Sequence, residues 1–262
     1  MNIIIAGCGK VGSTLAEQLS REGHDITVID QKTDVVRHMA DEADVRGVVG
    51  NGASYNIQKE AGIDEADLLI AVTNADEVNL LCCLIAKKAG GCKTIARVRN
   101  PVYHQEIGHI KGELGLSMVI NPEFAAASEI ARLLRFPSAI EINTFARGRI
   151  ELLRFRVEKS SPLAGRKLKD ISELTQCEAL VCIVERGGKV IIPDGEMELQ
   201  ANDTISIVAS PLNASRFFKL MGVQTNQVKN TMIIGGSKTA YYLARRLLAM
   251  KIKVKIIEKD MR

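Results

Sequence analysis

The sequence predicts an α/β protein: a doubly wound parallel sheet, then a small α+β unit, then the beginning of a second doubly wound domain. Three observations predict it. Short β-branched runs alternate with helix-period stretches from Asn2 to Asn121. Beyond Pro137 the strands become shorter and closely spaced, punctuated by turn residues. Near the C-terminus the pattern of the opening returns.

Residues 3–6, Ile-Ile-Ile-Ala, are apolar at every position, as a strand covered on both faces must be. Leu15, Ala16 and Leu19 mark the inner face of the helix that follows. Further strands are expected at 26–29, 45–49, 68–72, 95–98 and 118–120. Helical stretches lie at 11–37 (broken by the strand 26–29), 55–61, 75–89, 103–111 and 122–134. Buried strands separated by helices define a Rossmann-type domain, placed at residues 1–123.

Residues 140–223 are expected to form the α+β unit. Its strands read at 150–157, 179–185, 190–192 and 204–208, with helices at 168–174 and 214–221. Arg147-Gly148, Ser161-Pro162, Gly187-Gly188, Pro193-Asp194-Gly195 and Asn202-Asp203 supply the turns, and the polar segment Val223 to Lys229 reads as a linker.

A shift of 228 residues then superposes Gly7 on Gly235, Lys10 on Lys238, Leu15 on Leu243, Ala16 on Ala244, Leu19 on Leu247 and Ile29 on Ile257. Asp30 falls on Glu258, so the first glycine and the acidic residue are 23 positions apart in both copies. Residues 230–262 are therefore expected to open a second Rossmann-type domain. Two strands and one helix do not make a parallel sheet covered on both faces, so the chain is expected to be part of a longer protein.

With 46% hydrophobic and 25% charged residues, the chain is neither disordered nor collagen-like. The longest apolar run, Leu80 to Ala86, falls far short of the roughly 20 residues of a membrane span. The N-terminus lacks the basic start of a secretory signal, which predicts a cytosolic protein. A net charge of +4 without a basic block, 4% aromatics and no Trp argue against nucleic acid as partner. Cysteines 8, 82, 83, 92, 177 and 182 have no metal-binding spacing and read as reduced, buried core residues. Cys8 alone lies near a helix N-terminus that could lower a thiol pKa. His24, His38, His104 and His109 show no ligand spacing and read as surface residues, so no metal site is expected.

Gly7-Cys8-Gly9-Lys10-Val11-Gly12 is a G-x-G-x-x-G turn between strand and helix, and Asp30 closes the next strand. The first glycine permits the tight turn, the second lets backbone approach a pyrophosphate, and the third lets helix and strand pack closely. Free N–H groups at the helix start face the anion. Asp30 would accept hydrogen bonds from ribose hydroxyls and repel a 2′-phosphate, so NAD(H) or an adenine nucleotide is expected rather than NADP. Thr73-Asn74, after the strand at 68–72, either touch the cofactor at the switch point or cap the next helix. Arg97 and Arg99 are expected to diverge, one reaching a phosphate and the other serving as a surface or interface charge. Asn121-Pro122-Glu123 is ordinary helix-start chemistry.

These stretches together resemble the RCK family, ligand-sensing domains that regulate potassium conductance, and within it the regulatory A subunits of bacterial Trk potassium uptake. The resemblance rests on NIIIAGCGKVGSTLAEQL with ITVID, on GNGAS at 50–54 (Asn51 where many members carry Asp), and on ADLLIAVTNADEVNLLCCLIAK ending at Lys87. IARVRNPVY at 95–103, VINPE at 119–123, and EINTFARGRIELLRFRVEKSSPLAGRKL from Glu141 follow in order. The restart at Asn230 is similar to the tandem modules of the Trk subunits.

The resemblance implies nucleotide contacts from Gly7, Cys8, Gly9, Lys10, Val11, Asp30, Thr73, Asn74 and Arg97, with NAD(H), ATP or ADP as ligand. It places Lys10 near a terminal phosphate, and Glu123 at a subunit interface near nucleotide or cation. It implies a non-catalytic regulator at the inner face of the cell membrane, a homo-oligomer (dimer or larger ring), partnered with an integral membrane potassium transporter subunit. The second glycine loop departs from the pattern, with Ser237 and Ala240 for the second and third glycines, which puts nucleotide binding there in doubt.

The alternative is an NAD-dependent dehydrogenase with a small substrate domain. All four histidines precede the α+β unit, which leaves that unit without the commonest acid–base residue. A transcription factor would need a helix-turn-helix and a basic cluster, and neither is legible. Apolar positions at Phe124, Ala127, Ile130, Ala131 and Leu134 give the helix at 122–134 a core stripe, while Ala125, Ala126 and Leu133 widen it toward a partner subunit.

Overall fold

A computed structural model describes residues 1–135, 139–175, 177–220 and 228–260. The boundary at Pro137, the end of the closing helix at Met221, residues 223–227 of the expected linker, and Met261-Arg262 lie outside the described residues. The chain divides into two compact units, Met1–Ala126 and Ala127–Arg262.

The first unit carries strands β1 (Asn2–Ala6), β2 (Asp25–Asp30), β3 (Arg46–Val49), β4 (Leu68–Ala71), β5 (Lys93–Arg97) and β6 (Met118–Ile120). Between them run helices α1 (Lys10–Arg21), α2 (Thr33–Glu42), α3 (Tyr55–Glu60), α4 (Asp76–Ala89) and α5 (Pro101–Ile110); α6 (Pro122–Arg135) follows β6. All neighbouring strands pair in parallel, in the order β3-β2-β1-β4-β5-β6. Ile3 and Ile5 enter a core with Ala16, Val28 and Val72, while Ile4 and Ala6 enter another with Leu69, Cys82 and Ala96. Alternate side chains of one strand thus feed two cores, which is why the run at 3–6 is apolar throughout. The expected fold class is the observed one.

The second unit has a five-stranded antiparallel sheet in the order β10-β9-β11-β8-β7. Its strands are β7 (Glu141–Phe145), β8 (Ile150–Arg156), β9 (Ala179–Arg186), β10 (Lys189–Ile191) and β11 (Thr204–Ala209). The sequence did not signal β7, of which only Ile142 is buried, so it shows little apolar alternation. Helices α7 (Leu168–Thr175) and α8 (Pro211–Leu220) accompany the sheet. Phe155 packs with its ring centroid 6.3 Å from Phe217 and 4.8 Å from Phe218, and all three are fully buried.

Arg186 holds the buried Asp203 by a bidentate pair at 2.8 and 2.7 Å, and the Gln200 N–H adds a third bond at 2.8 Å. Burial pushes the Asp203 carboxyl up, but these hydrogen bonds and the Arg186 charge outweigh it and leave its pKa below 3.8. The stabilisation is therefore complete above the unfolded pKa and is lost as pH falls through the lower folded value. Asp203→Asn is expected to cost roughly 1.5–3 kcal/mol at neutral pH. Denaturant unfolding should show that the difference shrinks below pH 3.8.

Later in the same unit, β12 (Asn230–Ile234), α9 (Lys238–Ala249) and β13 (Lys253–Ile257) repeat β1-α1-β2, with β12 and β13 parallel. The repeat holds at atomic detail. Gly7 and Gly235 have φ of 104° and 99°, and each donates its N–H to the residue before the acid, Ile29 or Ile257, at 2.8 Å. Lys251 adopts φ 61° where the first copy has Gly23 at 82°, so that turn is kept without its glycine.

Candidate functional site

The C-terminal ends of five strands open onto one cavity of about 410 Å³ in the first unit. It is lined by Gly7, Cys8 and Gly9 after β1, by Asp30 at the end of β2 with Gln31 and Lys32 after it, and by Gly50 to Gly52 after β3. Thr73 and Asn74 follow β4, Arg97 ends β5 and Arg99 follows it. The cavity straddles β1 and β4, where the strand order reverses, the place where doubly wound sheets bind ligands.

Each glycine of the first loop has a distinct steric reason. A Cβ on Gly7 would lie 2.8 Å from the Thr73 nitrogen, and φ 104° excludes other residues independently. A Cβ on Gly12 would lie 1.8 Å from the Gly7 carbonyl oxygen, so the third glycine lets α1 close on the turn. A Cβ on Gly9 would meet nothing within 4 Å. This second glycine faces open space at the start of α1, where N–H groups without helical partners favour an anion.

Asp30 lies across the loop. Its Oδ2 accepts the Cys8 N–H at 2.8 Å, and its Oδ1 accepts the Lys32 N–H at 3.0 Å. The carboxylate therefore fixes the loop and retains lone pairs for a ligand hydroxyl. The same carboxylate, together with burial as the larger cause, pushes the Cys8 thiol up to about 12. Cys8 is thus a neutral thiol, and the helix start does not activate it. Cys82, Cys83, Cys92 and Cys177 are also buried, whereas Cys182, expected to be buried, is only partly so.

Seven of the nine residues expected at the site line this cavity: Gly7, Cys8, Gly9, Asp30, Thr73, Asn74 and Arg97. Lys10 is the exposed first residue of α1, and Val11 packs half-buried against the core of Ile3 and Ile5; neither is among the lining residues. The expected divergence of Arg97 and Arg99 is overturned, since both line the cavity. Residues two apart on an extended chain share a face, and β5 ends at Arg97. Thr73 and Asn74 do not cap α4, whose N-cap is Ala75.

Asn79, fully buried in α4, was not singled out from the sequence. Its Oδ1 accepts the Thr73 N–H at 2.8 Å and the Thr73 hydroxyl at 2.7 Å, and its Nδ2 donates to the Arg97 carbonyl at 2.9 Å. It ties the end of β4 to the end of β5 from below. Asp76, also buried, accepts the N–H groups of Arg99 and Asn100 at 2.8 and 2.6 Å. The available signal was two polar residues on the same helical stripe as Cys83 and Ala86.

Glu123 lies in the first turn of α6, after Pro122, as expected, and its Oε1 also meets the Arg97 guanidinium at 3.4 Å. Asn121 accepts the Phe124 N–H at 2.9 Å, an ordinary helix start. His104, expected at the surface, is half-buried with its ring 4.6 Å from that of Phe124, and burial lowers its pKa. It is not among the cavity-lining residues. Among the described residues no helix is long and apolar enough to cross a membrane, and no cluster of ligating side chains could hold a metal.

A cavity at the switch point, a glycine turn and an acid at the end of β2 define a protein of the dinucleotide-fold class. Within it, residues 3–122 match the TrkA-N domain and residues 152–222 the TrkA-C domain, so the chain carries both TrkA domains in order. It is 35% identical over 267 residues to the Trk system potassium uptake protein TrkA homolog 2 of Methanosarcina mazei, matching 99% of this chain and 56% of that one. It is 33% identical over 264 residues to the Trk system potassium uptake protein TrkA of Vibrio alginolyticus, covering 99% of this chain and 57% of that one. The chain thus spans little more than half the length of these relatives. Among solved structures, the GsuK channel bound to NAD aligns with a TM-score of 0.67 at 18% identity, over 100% of this chain and 46% of that one. The same channel bound to ADP aligns at 0.55 and 13% identity, over 100% and 44%. At these identities the likeness is one of fold.

Proposed function

We propose that the cavity of the first unit binds NAD(H), with ADP and ATP competing. On this reading the chain is the nucleotide-sensing part of a cytoplasmic, non-catalytic regulator that docks on an integral membrane potassium transporter. The observation that carries the reading is the open space above Gly9 at the start of α1, with Asp30 opposite at the end of β2. The glycine turn receives the pyrophosphate on backbone N–H groups, and Asp30 receives the adenosine ribose. Thr73, Asn74 and Arg97 then face the part of the ligand beyond the pyrophosphate. The GsuK channel, of the same fold, is described bound to NAD and to ADP, which supports both ligands here. The names of the relatives support potassium uptake as the process regulated.

Regulation requires a ligand that prefers one of two conformations of the assembly. The titratable groups lining the cavity are Asp30, Lys32, Arg97, Arg99 and the neutral Cys8 thiol, a set suited to holding a charged ligand rather than moving protons. The test is bound-NADH fluorescence. ADP and ATP should displace NADH competitively, and the bound NADH should survive a panel of carbonyl compounds. Steady oxidation of NADH would favour the dehydrogenase reading instead.

A homo-oligomer is part of the proposal, because closed symmetry repeats one ligand-driven shift in every subunit. On α6, Ala127 and Ala131 are buried while Ala126, Ile130 and Leu133 are exposed, so the outward stripe is 126-130-133. Ile130, expected in the core stripe, is 40% exposed, and Leu133 is 61% exposed. Leu133→Glu is expected to convert a dimer to a monomer without changing the circular dichroism spectrum. Light scattering that finds the unsubstituted chain monomeric at micromolar concentration would contradict this.

A further inference from the structure

Three buried polar side chains tie walls of the cavity to α4. Asn79 and Asp76, on α4 itself, hold Thr73, Arg97 and Arg99 on the β4–β5 side. On the β3 side the tie is Gln58, a fully buried side chain of α3 that does not itself line the cavity. Its Nε2 donates to the Gly52 carbonyl at 2.7 Å and to the Cys82 carbonyl of α4 at 3.0 Å. Both amide protons are thereby committed. Gly52 is a buried residue of the cavity wall. A Cβ there would lie 3.0 Å from the Ala6 Cβ and 3.2 Å from the Cys82 sulfur, so the wall is seated on β1 and α4. An amide at position 58 is a poor choice for stability alone. The Gln58 Oε1 is buried without a hydrogen-bond partner among the described residues, and an unsatisfied buried oxygen destabilises a fold. A methionine of similar length would fill the space without it. A local cost of this kind points to the site rather than to the core.

We infer that Gln58 is a positioning residue for the base end of the nucleotide, acting through the Gly52 carbonyl to hold the Gly50–Gly52 turn against the cavity. The inference rests on the proposed nucleotide site and deepens it. Strand β3 lies outside β2, on the side away from β4. With the pyrophosphate over Gly9 and the ribose at Asp30, the base lies past Asp30, between the turn after β2 and the turn after β3. That second turn is held at three points. The Gly50 N–H donates to the Asp30 carbonyl at 2.9 Å. Asn51 closes the turn on itself, its Oδ1 accepting the Ala53 N–H at 3.0 Å and its carbonyl the Ser54 N–H at 2.8 Å. The third point is the Gly52 carbonyl, which among the described residues takes its hydrogen bond from Gln58 alone. Without that donor a buried carbonyl must turn toward water to find a partner, and the wall beside the base moves with it.

The test compares Gln58→Met with the parent chain by three readouts. Thermal melting should place Tm within about two degrees of the parent or above it, since the unsatisfied oxygen is removed. Calorimetric titrations with NADH and with ADP should both show affinity reduced about fivefold to tenfold, the size of one lost hydrogen bond. The factor should be the same for the two ligands, because they share the adenosine and the pyrophosphate. Hydrogen exchange at the Ala53 and Ser54 amides should quicken while α4 keeps its protection. A role in the core alone would lower Tm along with affinity, and that result would overturn the inference. So would unchanged affinity for both ligands, or unequal changes, which would put the effect beyond the pyrophosphate. Exchange needs no ligand and so separates the two claims. A parent chain that binds neither nucleotide would sink the nucleotide site, whereas unchanged exchange at Ala53 and Ser54 in a chain that binds NADH would overturn the role of Gln58.

Discussion

Asp30→Ala is expected to weaken NADH binding by roughly 1.5–3 kcal/mol, a factor of about ten to a hundred in Kd. Two losses combine. The carboxylate would accept ribose hydroxyls directly, a charge-assisted bond that alanine cannot offer. It also holds the glycine loop through the Cys8 N–H at 2.8 Å and the following turn through the Lys32 N–H at 3.0 Å, so the anion-binding backbone loses its anchor. Asp30→Asn separates the two, because it keeps an acceptor oxygen and removes the charge. Its affinity should fall between those of the parent and the alanine variant. Calorimetry that finds NADH affinity unchanged in Asp30→Ala would contradict the placement of the ribose.

Gly12→Ala is expected to abolish NADH binding and to lower Tm by several degrees. The new Cβ would sit 1.8 Å from the Gly7 carbonyl oxygen, and a backbone atom in a turn between strand and helix cannot swing aside as a side chain would. The helix must lift, at a cost of about 1–3 kcal/mol or more. Its N–H groups then leave the position from which they face the anion. Gly9→Ala is the informative contrast, since its Cβ meets nothing within 4 Å. That variant should melt like the parent and bind NADH less tightly, because the added methyl group occupies only the space assigned to the ligand. Equal melting temperatures for all three proteins would show that the close approach at Gly12 is not needed for the fold.

The architecture of the first unit was legible because its physics is local and repetitive. Strands covered on both faces must be apolar at every position, and the runs at 3–6 and 68–72 display this without reference to any partner. The acid at the end of β2 was legible by its distance from the glycine turn, and the second copy kept that distance without two of the glycines. What stayed hidden depended on burial. Asn79 reads as a polar interruption in an apolar helix, and only the fold shows that it joins Thr73 to the backbone of Arg97. Arg97 and Arg99 were expected to diverge because the alternation rule was applied to neighbours two positions apart, which lie on the same side. Strand β7 escaped notice because it buries little beyond Ile142.

One titration addresses the central claim most directly: NADH added to the purified chain in a calorimeter, followed by ATP added to the complex. The account expects saturable NADH binding at the single glycine turn of the first unit, lost in Gly12→Ala, with ATP displacing the dinucleotide rather than adding to it. Absence of any NADH heat at millimolar ligand, or undiminished binding in Gly12→Ala, would contradict it.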